Sequence, residues 1–138
     1  MNDKELTQLL TEAKNIAVVG LSSKPARASF GVARFLQRQG YRVIPVNPAE
    51  TEVLGERAYA RIADVPDAID IVDVFRRSEA IPDVLEDALS KKPLCFWMQE
   101  GVVHEESARR AAAAGIPIVM DRCILKEIAR LLPPRYDL

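Results

Sequence analysis

The chain has 138 residues, 49% of them hydrophobic and 28% charged, which fits one globular domain spanning 1–138 with its own core. Lys and Arg number 19 against 20 Asp and Glu, and the net charge of -1 lacks the basic excess that a nucleic-acid or membrane-surface protein needs. Two cysteines, Cys95 and Cys123, cannot build a framework of several disulfides or a four-thiolate zinc site.

The opening MNDKELTQLLTEAKN is polar and acidic, unlike a targeting peptide, and no apolar run could span a bilayer, so a cytoplasmic protein is expected. Asp3 to Ala13 read as an amphipathic helix with Leu6, Leu9, Leu10 and Ala13 on one side. Ile16–Gly20 is a continuous apolar run of the kind found in strands covered on both faces. Ser29 is placed to cap a helix running to Gln39, and Gly40 to stop it. The strand Arg42–Val46 follows, then a turn at Leu54-Gly55-Glu56-Arg57 and one helical turn near Ala60–Asp64. Ile69–Phe75 is a third strand, and Pro82 suits the first turn of a helix reaching Ser90. Leu94–Met98 is a fourth strand, His104–Ala114 a helix closed by Gly115, and Ile116–Met120 a fifth strand. A last helix, Cys123–Leu132, is stopped by Pro133-Pro134.

Alternating strands and helices predict an α/β fold: a doubly wound, five-stranded parallel sheet in the order 3-2-1-4-5, with helices on both faces. Ligands of such sheets bind beyond the carboxyl ends of the strands, where the winding reverses. The loops converging there are 21–28, 47–50, 76–78, 99–103 and 121–122, and three of the five carry arginine: Arg27, Arg76 with Arg77, and Arg122. Arginine forks suit phosphate, so an anionic small ligand is one reading; solvated loop charges are the other. The first loop adds a sharp turn at Gly20, a helix amino end, the hydroxyls of Ser22, Ser23 and Ser29, and the charges of Lys24 and Arg27. It is not G-x-G-x-x-G, and a plain strand–helix connection is the alternative. Strand two ends in Asn47-Pro48, where NAD sites offer a carboxylate to the ribose. A neutral amide there tolerates a ribose phosphate, which both coenzyme A and NADP carry.

Candidates for bond-making chemistry are sparse. His104, the one histidine, precedes Glu105-Glu106 and reads as a helix-start residue. Cys95 sits in an apolar strand, while Cys123 follows Arg122 near a helix start, where a thiol can be either packed or activated. Asp70 and Asp73 are available to pair with loop arginines, and Trp97 and Met98 form either an apolar wall for a ring or core. No spacing suggests a metal site.

Five stretches in series, VVGLSSKPARASF, GYRVIPVNP, VDVFRRSE, WMQEGVV and VMDRC, resemble the stand-alone CoA-binding proteins. These are similar to the amino-terminal CoA-binding domain of the succinyl-CoA synthetase alpha subunit. The resemblance implies a Rossmann-like domain that binds coenzyme A or an acyl-CoA as a non-catalytic module. It implies that Gly20, Leu21, Ser22, Ser23 and Lys24 hold the pyrophosphate, with Arg27 and Ser29 assisting. Asn47 and Pro48 would lie beside the adenosine and its phosphate, Phe75 and Arg76 would border the adenine, and Met98, Gln99 and Gly101 would line the next edge. Ala28 and Phe30 stand where proline and tyrosine are common, Glu100 where an apolar residue is typical, and His104 where asparagine is frequent. The synthetase's phosphohistidine lies in a second domain, so ligase activity is not expected. A small NADP-dependent or acyl-transfer enzyme is the alternative.

Overall fold

The structure is a computed structural model that describes residues 1–134. Helix α1 (Asp3–Glu12) starts on a capping box: the Asn2 side chain accepts from the Glu5 amide at 2.8 Å, and the Glu5 carboxylate accepts from the Asn2 amide at 3.0 Å. Strand β1 (Asn15–Val19) leads through Gly20 to α2 (Ala28–Arg38) and β2 (Arg42–Val46). The turn expected at Leu54–Arg57 is a small hairpin, β3 (Glu52–Val53) and β4 (Glu56–Arg57). Leu54 and Gly55 both take positive φ there, 53° and 79°, the backbone that lets a two-residue turn follow the strand twist. A 3-10 turn at Ile62–Asp64 precedes β5 (Ile71–Val74), a second at Ser78–Ala80 leads into α3 (Ile81–Leu89), and β6 (Cys95–Met98), α4 (Glu105–Ala113), β7 (Ile118–Val119) and α5 (Ile124–Leu131) follow.

Five strands form one parallel sheet in the order β2-β1-β5-β6-β7. This is the doubly wound Rossmann-like sheet expected, with one difference of placement. The third long strand, β5, lies beside β1 (Ile16 opposite Ile71), whereas the order 3-2-1-4-5 sets it outside β2. The reason is that the outer edge of β2 is already taken. The Tyr59 amide donates to the Pro45 carbonyl at 2.9 Å, and the Asn47 amide donates to the Tyr59 carbonyl at 2.8 Å. Pro45 turns that carbonyl, and with it a nitrogen lacking a hydrogen, to the side away from β1, as an edge strand allows. Asp70 then fastens the returning chain: its carboxylate accepts from the amides of Lys14 at 2.8 Å and Asn15 at 2.9 Å.

Successive strand residues face opposite layers. Ile16, Val18, Ile71, Cys95 and Trp97 pack against α1, α2 and α5 through Leu10, Leu36 and Ile128. Ala17, Val19, Val72, Phe96 and Met98 pack against α3 and α4 through Ile81, Leu85 and Ala111. Trp97 therefore fills core, with its indole donating to the Arg122 carbonyl at 2.7 Å, and Met98 is fully buried as well. Among the described residues no helix is long and apolar enough to cross a membrane.

Candidate ligand-binding site

The winding reverses between β1 and β5, and there the two strands approach closely at Gly20. Gly20 has φ +84°, and a Cβ on it would lie 2.3 Å from the Phe75 carbonyl oxygen. A side chain is excluded both by the backbone angle and by the neighbouring strand. The Gly20 amide donates to the Val46 carbonyl at 2.8 Å, so this residue ties the ends of β1, β2 and β5 together.

Beyond Gly20 the first loop folds over its own amides. The Ser22 amide donates to Ser29 Oγ at 3.1 Å, the Ser23 amide to Glu50 Oε2 at 2.7 Å, and the Lys24 amide to Ser22 Oγ at 3.1 Å. Ser29 is thus not the helix cap. Arg27 holds the cap position without a side-chain bond, and buried Ser29 turns its hydroxyl back to the loop from the first helical turn. Asn47 joins the first two loops: its Nδ2 donates to the Leu21 carbonyl at 3.1 Å, and its Oδ1 accepts from the Ala49 amide at 2.9 Å. Strand two does end on a neutral amide, yet Glu50, three residues on, returns a carboxylate to the crevice.

Two adjoining hollows share Gly20, Asn47 and Phe75. One, of ≈ 460 Å³, is walled by Ser22, Lys24, Arg27, Ser29 and Glu50. The other, of ≈ 670 Å³, is walled by Pro48, Arg61 and Arg76 and by the carboxylates of Asp83, Glu86 and Asp87. Each alone is within the size range of small-molecule ligand sites, and the shared residues make them one continuous crevice. Lys24, Arg27 and Arg76 line it, and none has an ion-pair partner among the described residues. Arg61 stands 3.6 Å from Asp87 Oδ1, while the same carboxylate accepts from the amides of Ile62 and Ala63 at 2.7 and 3.0 Å. Arg61 does not stand out in the sequence, whereas Glu50 closes the 47–50 loop expected at the crevice. Tyr59 beside β2 brings Arg61 to the crevice, and the turn after Asn47 brings Glu50.

Nine of the sequence-predicted residues meet here: Gly20, Ser22, Lys24, Arg27, Ser29, Asn47, Pro48, Phe75 and Arg76. Ser23 contributes through its amide. Leu21 sends its side chain into the core, and Met98 is sealed there too. Gln99 Oε1 accepts from the Ile124 amide at 3.1 Å, and the Gly101 amide donates to Asp121 Oδ1 at 2.7 Å; neither lines the two hollows. Glu100 is paired with Lys126 at 3.0 Å, a contact that holds the ammonium above its ordinary range.

The groups suited to bond-making lie elsewhere. His104 caps α4, its Nδ1 accepting from the Ser107 amide at 3.1 Å. Among the described residues Asp70 and Asp73 do not pair with loop arginines: Asp70 serves the two backbone amides above, and Asp73 is enclosed in the core with neither oxygen hydrogen-bonded. Burial pushes the Asp73 carboxyl well above the usual range, and burial first, then the nearby Asp73 charge, pushes the Cys95 thiol up to about 12. Cys123 stands at the start of α5, half-buried. Among the described residues no three His, Cys, Asp or Glu side chains gather to hold a metal ion.

A doubly wound sheet whose reversal carries a crevice of mixed charge, Lys24, Arg27, Arg61 and Arg76 with Glu50, Asp83, Glu86 and Asp87, defines a Rossmann-like class of domain. Within that class, the sequence profile of the CoA binding domain matches residues 14–129, and the chain belongs to that family. It is 43% identical over 120 residues to the uncharacterized protein YneT of Bacillus subtilis, covering 87% of this chain and 89% of that protein. The solved structure of a hypothetical protein from Pyrococcus horikoshii OT3 superposes with a TM-score of 0.93 at 38% identity, covering 96% of this chain and 94% of the other. The chain is also 28% identical over 80 residues to acetate–CoA ligase [ADP-forming] II of Archaeoglobus fulgidus, a match covering 56% of this chain and only 12% of the ligase.

Proposed function

We propose that this protein holds coenzyme A, free or as an acyl thioester, in the crevice at the β1–β5 reversal, and does so as a binding module without a reaction of its own. The observation that carries the reading is the set of three cations, Lys24, Arg27 and Arg76, that line one crevice without ion-pair partners. Glu50, Asp83, Glu86 and Asp87 line the same crevice, so a ligand with several negative charges is favoured where its phosphates meet these unpaired cations. The first loop, with Lys24, Arg27 and the amino end of α2, suits the pyrophosphate. Asn47, Pro48, Arg61, Phe75 and Arg76 suit the adenosine and its ribose phosphate. Family membership supports the same ligand. The non-catalytic role is supported by how the reactive groups are used: His104 as a helix cap, Cys95 and Asp73 as enclosed core residues.

Calorimetric titration of nucleotide-free protein with CoA, dephospho-CoA, NAD and NADP tests the reading. CoA should bind most tightly, with the ribose phosphate worth about tenfold or more. Equal affinity for CoA and dephospho-CoA would remove the ribose-phosphate role of the Asn47–Arg61–Arg76 region. Turnover of an acyl-CoA or of NADPH, lost with Arg76→Ala, would overturn the non-catalytic role.

A further inference from the structure

The three amides that follow Leu21 are each bonded to a side-chain oxygen, and the three oxygens differ in kind. Ser29 Oγ and Ser22 Oγ are neutral and belong to the first loop and its helix. The third acceptor, Glu50 Oε2, is a charged group brought from the loop after β2 to the Ser23 amide. At 2.7 Å this is the shortest of the three bonds, as a carboxylate acceptor allows. Glu50 lines the smaller hollow together with Lys24 and Arg27, yet forms no salt bridge with either among the described residues. Among the described residues its side chain bonds the backbone amide of Ser23.

We infer that Glu50 is an internal stand-in for the ligand's anionic group, seated on the Ser23 amide, and that a phosphate-bearing ligand binds by displacing it. The inference rests on the reading of the 20–24 loop as an anion seat. An amide shared between a carboxylate and a phosphate oxygen serves each less well, and two anions in one hollow repel. Glu50 therefore sets affinity from the wrong side of the equilibrium: it keeps the loop folded without ligand and opposes the ligand's arrival. Because a ligand's affinity falls by whatever fraction of the protein holds the competing arrangement, removing the competitor raises affinity with no new contact. The effect extends to selectivity, since a ligand with a single weak charge gains less from the seat than a pyrophosphate and displaces Glu50 less readily.

The test uses Glu50→Gln, which keeps an oxygen for the Ser23 amide but removes the charge, and Glu50→Ala, which removes both. Inorganic pyrophosphate is the first probe, read by the ¹⁵N–¹H shift of the Ser23 amide, and CoA the second, read by calorimetry. Both variants should bind pyrophosphate about tenfold or more tightly than the parent, in line with the loss of a charged competitor. The Ser23 signal should move on titration in all three proteins. Equal or weaker pyrophosphate binding by both variants, or a Ser23 signal that never moves, overturns the inference. The two readings separate cleanly. Tighter pyrophosphate binding without any CoA binding would leave Glu50's role standing and refute the CoA reading. Tight CoA binding that neither substitution changes would do the reverse. A thermal melt of each variant confirms that the comparison is between folded proteins.

Discussion

Replacing Gly20 by alanine puts the close approach of β1 and β5 under direct strain. Two costs add. The backbone there holds φ +84°, where an L side chain costs about 1–2 kcal/mol. The new Cβ would also meet the Phe75 carbonyl oxygen at 2.3 Å and Arg76 Cδ at 3.2 Å, and the nearer atom belongs to backbone that packing holds in place. Relieving such overlap costs about 1–3 kcal/mol more. The sum, roughly 2–5 kcal/mol, is a large share of the roughly 5–15 kcal/mol that stabilises a domain of this kind. Gly40 supplies the control: its φ is +96°, but a Cβ there meets nothing within 4 Å. Gly40→Ala should therefore lose only the backbone part, about 1–2 kcal/mol. Urea denaturation at 25 °C of both variants gives the difference. Gly20→Ala should be the less stable by at least ~1 kcal/mol, and it should weaken CoA binding in whatever fraction remains folded, because Phe75 and Arg76 must shift. Equal losses in the two variants would show that the approach to Phe75 carries no constraint.

Three further outcomes follow from the same geometry. Asp73 is buried without a partner and its carboxyl is raised by burial, so its contribution to stability is full below the ordinary carboxylate value of 3.8 and declines as pH rises through the raised folded value. Asp73→Asn should accordingly gain melting temperature over the parent by a margin that widens as pH increases from 4; a constant margin would refute the burial account. Replacing Lys24, Arg27 or Arg76 by alanine should each weaken CoA binding about tenfold and flatten its dependence on salt, measured by calorimetry at two ionic strengths, while unchanged affinity in all three would remove the electrostatic argument. His104→Ala should destabilise by about 1 kcal/mol through loss of the α4 cap, and His104→Asn should restore most of it in thermal melts, since asparagine is a good cap; equal melting of the two variants would show that the cap contributes nothing.

Much of this fold is legible along the chain because local signals agree with it. Ile16–Gly20 and Arg42–Val46 announce two strands to within a residue, Gly40 and Gly115 mark helix ends, and Pro82 marks a helix start. The strand order is less legible, because the linker between β2 and β5 has little periodicity and its decisive contact is one bridge at Tyr59. Pro45 was the available clue, since a proline inside a strand points to a sheet edge. The site divides in the same way. Gly20, Lys24, Arg27, Asn47 and Arg76 can be placed from the loops that a parallel sheet brings together. Leu21 and Met98 could not, because the direction of a side chain at a strand end depends on register, and both turn into the core. Arg61 reaches the crevice from an irregular segment whose course no short-range pattern encodes, while Glu50 lies in the 47–50 loop expected there and only its contact with the Ser23 amide is not legible.

The most direct measurement of the central claim is a crystal structure of the protein grown with saturating CoA. The pyrophosphate is expected on the Ser23 amide beside Lys24 and Arg27, with Glu50 swung away and the ribose phosphate near Arg61 and Arg76. CoA bound at another surface, such as the groove between Leu89 and Pro117, or a crevice unchanged with Glu50 still on Ser23, would contradict it.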